Sequence, residues 1–326
     1  MKKIISMLLA LMMLLSLTAC GSGTSAETEA AADDGKYVVG ICQLVTHDAL
    51  DAATQGFQDA LVAILGEDAV EFDLQNAAND TNTCASIANA FVSAEVDLIM
   101  ANATTALQAA SAATADIPIL GTSVTEYGVA MGIADFNGTV GGNVSGTSDL
   151  APLTEQADML VEWFPDAKNV GLLYCAGEAN SKYQVDTVEA LLTEKGITCK
   201  QFAFVDSNDM PAVTQEACAF SDVIYVPTDN SVASGTAVID GICRPAGVPI
   251  IAGEEGICSG CGVATLSISY YDLGYATGEM AAKILTGEAD ISTTPVGYAA
   301  TTTKKYNAEI CEDLGLTAPE GYVAIG

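Results

Sequence analysis

From Lys36 onward, short runs of Val, Ile and Leu alternate with longer amphipathic stretches, and no other feature restricts the fold as tightly. Strand-like runs fall at residues 37–42, 69–74, 96–100, 117–120, 169–174, 198–204, 223–226, 248–251 and 263–267. Helical periodicity occupies 48–65, 81–93, 104–114, 152–164, 179–194, 210–220, 231–244 and 271–285. Strands built of continuous apolar residues are dry on both faces, which places them in parallel sheets with helices on each side. The cycle runs twice, and 326 residues are enough for two lobes rather than one. The expected class is α/β, with two doubly wound parallel-sheet lobes joined by a hinge of crossing segments. The first half ends near Gly121, and glycine-rich residues 138–146 read as irregular chain crossing to the second lobe. A return through Pro295 to Tyr298 gives lobes at 36–148 with about 271–297, and 149–270 with about 298–326.

Ahead of this body, Lys2 and Lys3 precede an apolar run from Ile4 to Leu17 and then Thr18, Ala19 and Cys20. A run that short reads as a secretory signal, because a spanning helix needs about 20 apolar residues. The pattern resembles the bacterial lipobox, which implies cleavage after residue 19, lipidation of Cys20 and a protein held on the extracytoplasmic face of the cell membrane by its acyl chains. Residues 20–35, small and acidic with no apolar face, read as a tether.

Charge narrows the partners. Eleven Lys and Arg stand against 42 Asp and Glu, so nucleic acid, which requires a basic face, is excluded. The single arginine, Arg244, allows no guanidinium clamp, so an anionic group has to be held by backbone N–H groups, hydroxyls or helix N-termini. Most of the cysteines after Cys20 fall in apolar stretches and read as small buried hydrophobes. Cys258 and Cys261 have redox or metal-like spacing but lack a second pair, and the single histidine, His47, is distant in sequence; no metal or cofactor is expected.

In doubly wound sheets, ligands bind beyond the carboxyl ends of the strands. Here those ends are 43–47, 102–105, 122–126, 176–181, 227–230 and 253–256, each polar amid apolar neighbours. Together with 40–51, 55–57, 96–99 and 142–149, they resemble the ABC-transporter substrate-binding lipoproteins that include tryptophan- and other aromatic-amino-acid-binding members. Gly146-Thr147-Ser148-Asp149, Pro227-Thr228-Asp229-Asn230 and Ala252-Gly253-Glu254-Glu255 are specific in combination. The resemblance implies a type I periplasmic-binding fold, an amino acid ligand, an ABC permease as partner and a monomer. Ala101-Asn102-Ala103-Thr104-Thr105 departs from the family's Ala-Thr-Pro version, which bears on the ligand rather than the fold.

A zwitterionic amino acid needs donors for its carboxylate and an acid for its ammonium. Thr104 and Thr105 open a helix and Thr122 and Ser123 follow a strand, which makes them the carboxylate candidates. Asp149, Asp229 and Glu254 are the acids; helix capping is the competing role for Asp149 and Asp229, and dipole complementation for Glu254. Gln43, His47, Asn180, Ser181 and Asn230 complete the set. There is no Gly-x-Ser-x-Gly elbow, His-Glu-x-x-His or phosphate loop, so a binder rather than an enzyme is expected. Ligand sensing on the same fold and sugar binding are the alternatives, the latter disfavoured by aromatics at 6%.

Overall fold

The computed structural model describes residues 35–325; the leader and Cys20 lie outside them. The first sheet contains β1 (Tyr37–Gln43), β2 (Val70–Asn76), β3 (Leu98–Asn102), β4 (Ile119–Val124), β5 (Val144–Ser148) and β11 (Gly297–Tyr298). Its order is β11-β5-β4-β3-β1-β2, with every pairing parallel. Between its strands run α1 (Asp48–Leu65), α2 (Thr81–Ser93), α3 (Thr104–Ala113) and α4 (Tyr127–Met131). The second sheet contains β6 (Asn169–Cys175), β7 (Thr198–Phe204), β8 (Val223–Val226), β9 (Ile250–Ala252), β10 (Ala264–Ser267), β12 (Thr303–Tyr306) and β13 (Val323–Ala324). Its order is β13-β12-β10-β9-β8-β6-β7, and only β12 runs antiparallel to its neighbour β10. Its helices are α5 (Leu153–Trp163), α6 (Ala179–Glu194), α7 (Met210–Phe220), α8 (Asn230–Ala246) and α9 (Glu255–Cys261); α10 (Tyr270–Leu285) and α11 (Ala308–Asp313) follow.

Both faces of the first sheet are packed, as continuous apolar strands require. Val39, Ile41, Leu98, Met100 and Leu120 pack with Phe57 and Leu61 of α1 and Ala281 of α10. On the other face, Ile99, Ala101 and Ile119 meet Phe91 of α2 and Leu107 of α3. Helices α1 and α10 approach closely through glycines: a Cβ on Gly274 would lie 1.9 Å from the Ala53 carbonyl oxygen, and one on Gly56 2.1 Å from that of Tyr271. Thus α10 leaves the second sheet at β10 but beds on the first.

One expectation fails. Residues 144–146, read as the end of an irregular crossing, instead belong to β5 (Val144–Ser148) inside the first sheet. The segment Val-Ser-Gly-Thr-Ser has no apolar run, yet all five residues are buried. Its hydroxyls are satisfied internally: Ser145 Oγ donates to the Thr294 carbonyl at 2.9 Å, and Thr147 Oγ1 lies 2.7 Å from Thr277 Oγ1 on α10. Gly146 adopts φ 143°, and a Cβ there would fall 2.0 Å from the Gly121 carbonyl oxygen, so the β4–β5 approach depends on glycine.

In both sheets the first strand lies between the second and the third, so β1/β3 and β6/β8 are the points where winding reverses. The loops after these strands meet each other, with His47 Nε2 3.2 Å from Asn230 Oδ1.

Candidate functional site

The first lobe supplies hydroxyls and uncapped amides. Ala103 precedes α3 with φ 97° and ψ 159°, a region otherwise reserved for glycine, and no side chain caps the helix. Thr104, 3% exposed, has a hydroxyl with no hydrogen-bond partner. At β4 the register with β5 shifts between Gly121 and Val124, and Ser123 inside that irregularity has φ 54°. The Tyr127 hydroxyl fixes the bend by donating to the carbonyls of Gly121 (3.0 Å) and Thr147 (3.1 Å). A bulge re-aims the side chain it carries, and Ser123 Oγ is likewise buried without a partner.

Beyond β5, Asp149 is 4% exposed. Tyr270 donates its hydroxyl to Oδ2 at 2.9 Å, while Oδ1 makes no hydrogen bond of normal geometry. Burial pushes its carboxyl above the usual carboxylate range, against the opposing pull of the Tyr270 and Thr125 hydroxyls. It caps no helix, because α5 begins after Pro152 without a side-chain cap.

The second lobe's acids are differently employed. Asp229 takes Val232 N at 2.9 Å, as the cap of α8, and Cys175 N at 2.7 Å. Burial first, and the neighbouring Glu178 second, push it up to about 8. Glu254 caps α9 through the amides of Gly256 and Ile257, and burial pushes it up to about 7. Glu178, which sequence reasoning had not singled out, is 4% exposed. Its Oε2 accepts from Asn230 N (2.9 Å), Asn230 Nδ2 (2.8 Å) and Asn180 Nδ2 (3.1 Å). Its Oε1 accepts from Ser231 N and Ser231 Oγ, both at 2.8 Å. No residue type or spacing signals such a role; only the meeting of two loops reveals it.

Asn180 also donates to the Thr228 carbonyl at 3.0 Å, and its Oδ1 is buried without a partner. The remaining candidates serve mainly within the lobes. Gln43 accepts from Thr54 Oγ1 at 2.7 Å and donates to Val45 O at 2.9 Å and to Asp51. Thr122 lies 3.3 Å from Thr147 Oγ1. Ser181 is fully buried at the start of α6, next to Asn180.

Between the lobes, His47, Leu50, Asp149, Asn230, Glu254 and Tyr270 enclose a space of about 10 Å³. On one side of the lobe interface lies a cavity of about 310 Å³ that includes Leu44, Asn79, Thr105, Glu178 and Ser231. On the other lies a cleft of about 470 Å³ that includes Glu254, Tyr270 and Lys305. Asp149, Asp229 and Glu254 line the enclosed space with no Lys or Arg among its residues, and burial lowers the pKa of His47. The arrangement therefore offers a cation an acceptor and an anion a set of unpaired donors.

The family described as ABC transporter substrate binding protein matches residues 38–324. The chain belongs to that family. A tyrosine-binding protein of Clostridioides difficile (strain R20291) is 37% identical over 295 residues, 88% of this chain and 85% of that protein. Among solved structures, an ABC domain from Streptococcus pneumonia in complex with L-Trp aligns with TM-score 0.84 at 31% identity, covering 89% of this chain and all of that one. A ligand-free, open substrate-binding protein with adhesive properties from Clostridium difficile aligns with TM-score 0.68 at 38% identity, covering 89% and 99%. In this chain the two lobes touch directly, through His47 with Asn230 and Asn79 with Ser231. The fold is thus the type I periplasmic-binding one, and the chain belongs to a family of extracytoplasmic ABC substrate-binding proteins. Among the described residues, no helix is long and apolar enough to cross a membrane.

Proposed function

We propose that this chain is the lipid-anchored binding component of an ABC importer that captures an amino acid, an aromatic one by preference, and does not alter it chemically. One observation carries the reading: Thr104 Oγ1, Ser123 Oγ and Asp149 Oδ1 at strand ends of the first sheet, and Asn180 Oδ1 after β6 in the second, are buried without partners. Such groups are costly to leave unpaired, and an ammonium and a carboxylate supply their complements. The carboxylate goes to Thr104, Ser123 and the uncapped start of α3; the ammonium goes to Asp149. His47, Thr105, Asn180, Ser181 and Asn230 border the guest, and Gln43, Thr122, Asp229 and Glu254 hold the loops around it. The aromatic preference rests on relatives that bind tyrosine and hold L-Trp.

In this reading the chain is a monomer with lobes at 36–148 plus about 271–297, and 149–270 plus about 298–326, supported by the return of β11 to the first sheet and of β12 to the second. Cys20 carries the acyl anchor. A thermal-shift screen of the twenty amino acids and of hexoses tests the ligand. A guest at a hundred times its dissociation constant adds about 2.7 kcal/mol, so tyrosine or tryptophan raises Tm clearly and hexoses do not. The reverse pattern, or chemical turnover of the bound guest, overturns the proposal. Replacing Cys20 with serine releases the protein from membranes if the anchor is as stated.

A further inference from the structure

Two hydrogen bonds join the lobes through the first residues of α8. His47 Nε2 pairs with Asn230 Oδ1 at 3.2 Å, and Asn79 Nδ2 donates to Ser231 Oγ at 3.0 Å. His47 and Asn79 belong to the first lobe, Asn79 held at φ 63° in the turn after β2. Asn230 and Ser231 belong to the second, and the same buried carboxylate, Glu178, holds both.

The chemistry of that carboxylate dictates the rest. Its oxygens accept five N–H and O–H groups from Asn230, Ser231 and Asn180, which leaves no room for a guest's ammonium. Because Glu178 only accepts, Asn230 must present its Nδ2 to it and turn its Oδ1 outward. An outward carbonyl oxygen needs a donor, so His47 carries its proton on Nε2. Ser231, its proton spent on Glu178 Oε1, likewise offers Asn79 a lone pair. Burial lowers the pKa of His47, countered by Asn230, Glu178, Asp51 and Asp48, so the ring is neutral at pH 7.5 and its tautomer is meaningful.

We infer that Glu178 is a positioning residue: it orients Asn230 and Ser231 as paired acceptors that latch the lobes, and it thereby sets the Nε2–H tautomer of His47. The inference deepens the proposed function and rests on the cleft closing over an amino acid.

His47 is the chain's single histidine, so ¹⁵N NMR of the imidazole reads the latch without assignment. Wild-type protein with saturating L-tyrosine, or with a mixture of the twenty amino acids, gives the Nε2–H pattern. Glu178→Gln puts an NH2 against donors of α8, so the tautomer preference disappears, and L-tyrosine dissociates about twenty-five-fold faster at a nearly unchanged association rate, as expected for loss of two hydrogen bonds of ordinary strength. Asn79→Ala, which leaves Glu178 alone, speeds dissociation about fivefold and keeps the tautomer. A wild-type Nδ1–H or mixed ring overturns the inference, as does a folded Glu178→Gln that keeps both the tautomer and the off-rate. Should Glu178→Gln fail to fold, the wild-type ring and Asn79→Ala decide. A tautomer that appears with the mixture but not with L-tyrosine removes tyrosine as the guest and leaves the latch intact.

Discussion

The strand ends of the two lobes differ in what their polar atoms are already doing. In the first, Thr104 and Ser123 sit on backbone held at or next to positive φ and their buried hydroxyls have no hydrogen-bond partner. In the second, Asp229 and Glu254 are the conspicuous acids, yet their oxygens are taken by backbone amides of the helices they cap and, for Asp229, of Cys175 in β6. Formal charge is thus a poor guide to where a guest binds, and uncommitted lone pairs and protons are a better one. Asn180 is the second lobe's exception, with a free Oδ1.

The comparison breaks most visibly at Asp149, the acid with an uncommitted oxygen. Loss of a buried charge partner costs about 2–5 kcal/mol, so Asp149→Asn weakens L-tyrosine binding in calorimetry by about thirtyfold or more. Ligand-free Asp149→Asn melts higher than wild type, since burial penalises the charge. Asp229→Ala shows the opposite signature. It strips the α8 cap and the partner of Cys175 N, which lowers stability in urea by about 2–4 kcal/mol, while affinity at a temperature where it is folded changes little. An affinity loss matching that of Asp149→Asn would erase the contrast.

Ser123→Gly sharpens it further. Relief of φ 54° raises stability by about 1 kcal/mol, and loss of the hydroxyl lowers affinity about fivefold. The smallest effect is in pH. Asp229 at about 8 and Glu254 at about 7 hold protons in the folded chain that the unfolded chain, with carboxyls near 4, releases. Their stabilisation is complete at low pH and is lost as pH rises through 7 to 8. The lowered pKa of His47 opposes this below about 6.5. Ligand-free Tm therefore falls by a few degrees between pH 6.5 and 8.5, and Asp229→Asn with Glu254→Gln flattens the slope; a rising Tm contradicts the assignment.

Much of this was legible in the sequence where one residue's neighbours in the chain are also its neighbours in space. The helices at 48–65, 81–93, 179–194 and 210–220 and the strands at 198–204 and 223–226 lie where periodicity puts them. Strand β5 was hidden because its cover comes from Thr277 and Thr294, over a hundred residues away. Helix α9 was hidden because Cys258 and Cys261 stand out by their spacing alone, whereas Cys261 donates to the Ile257 carbonyl within the helix and Cys258 to that of Gly262 just past its end. At the site, residue type pointed to Asp149, Asp229 and Glu254 alike, and only long-range partners separated the free acid from the two caps.

The glycine contact between α1 and α10 has a mechanical corollary. With Gly274 against Ala53 and Gly56 against Tyr271, α10 rides with the first lobe as a stiff rod rooted at Tyr270. Parting of the lobes must then be absorbed in the short tie of Ile268 and Ser269, together with the chain between β5 and α5 and that between β11 and β12. Lengthening or softening that tie changes how quickly the jaws swing while every atom that faces the guest stays as it was.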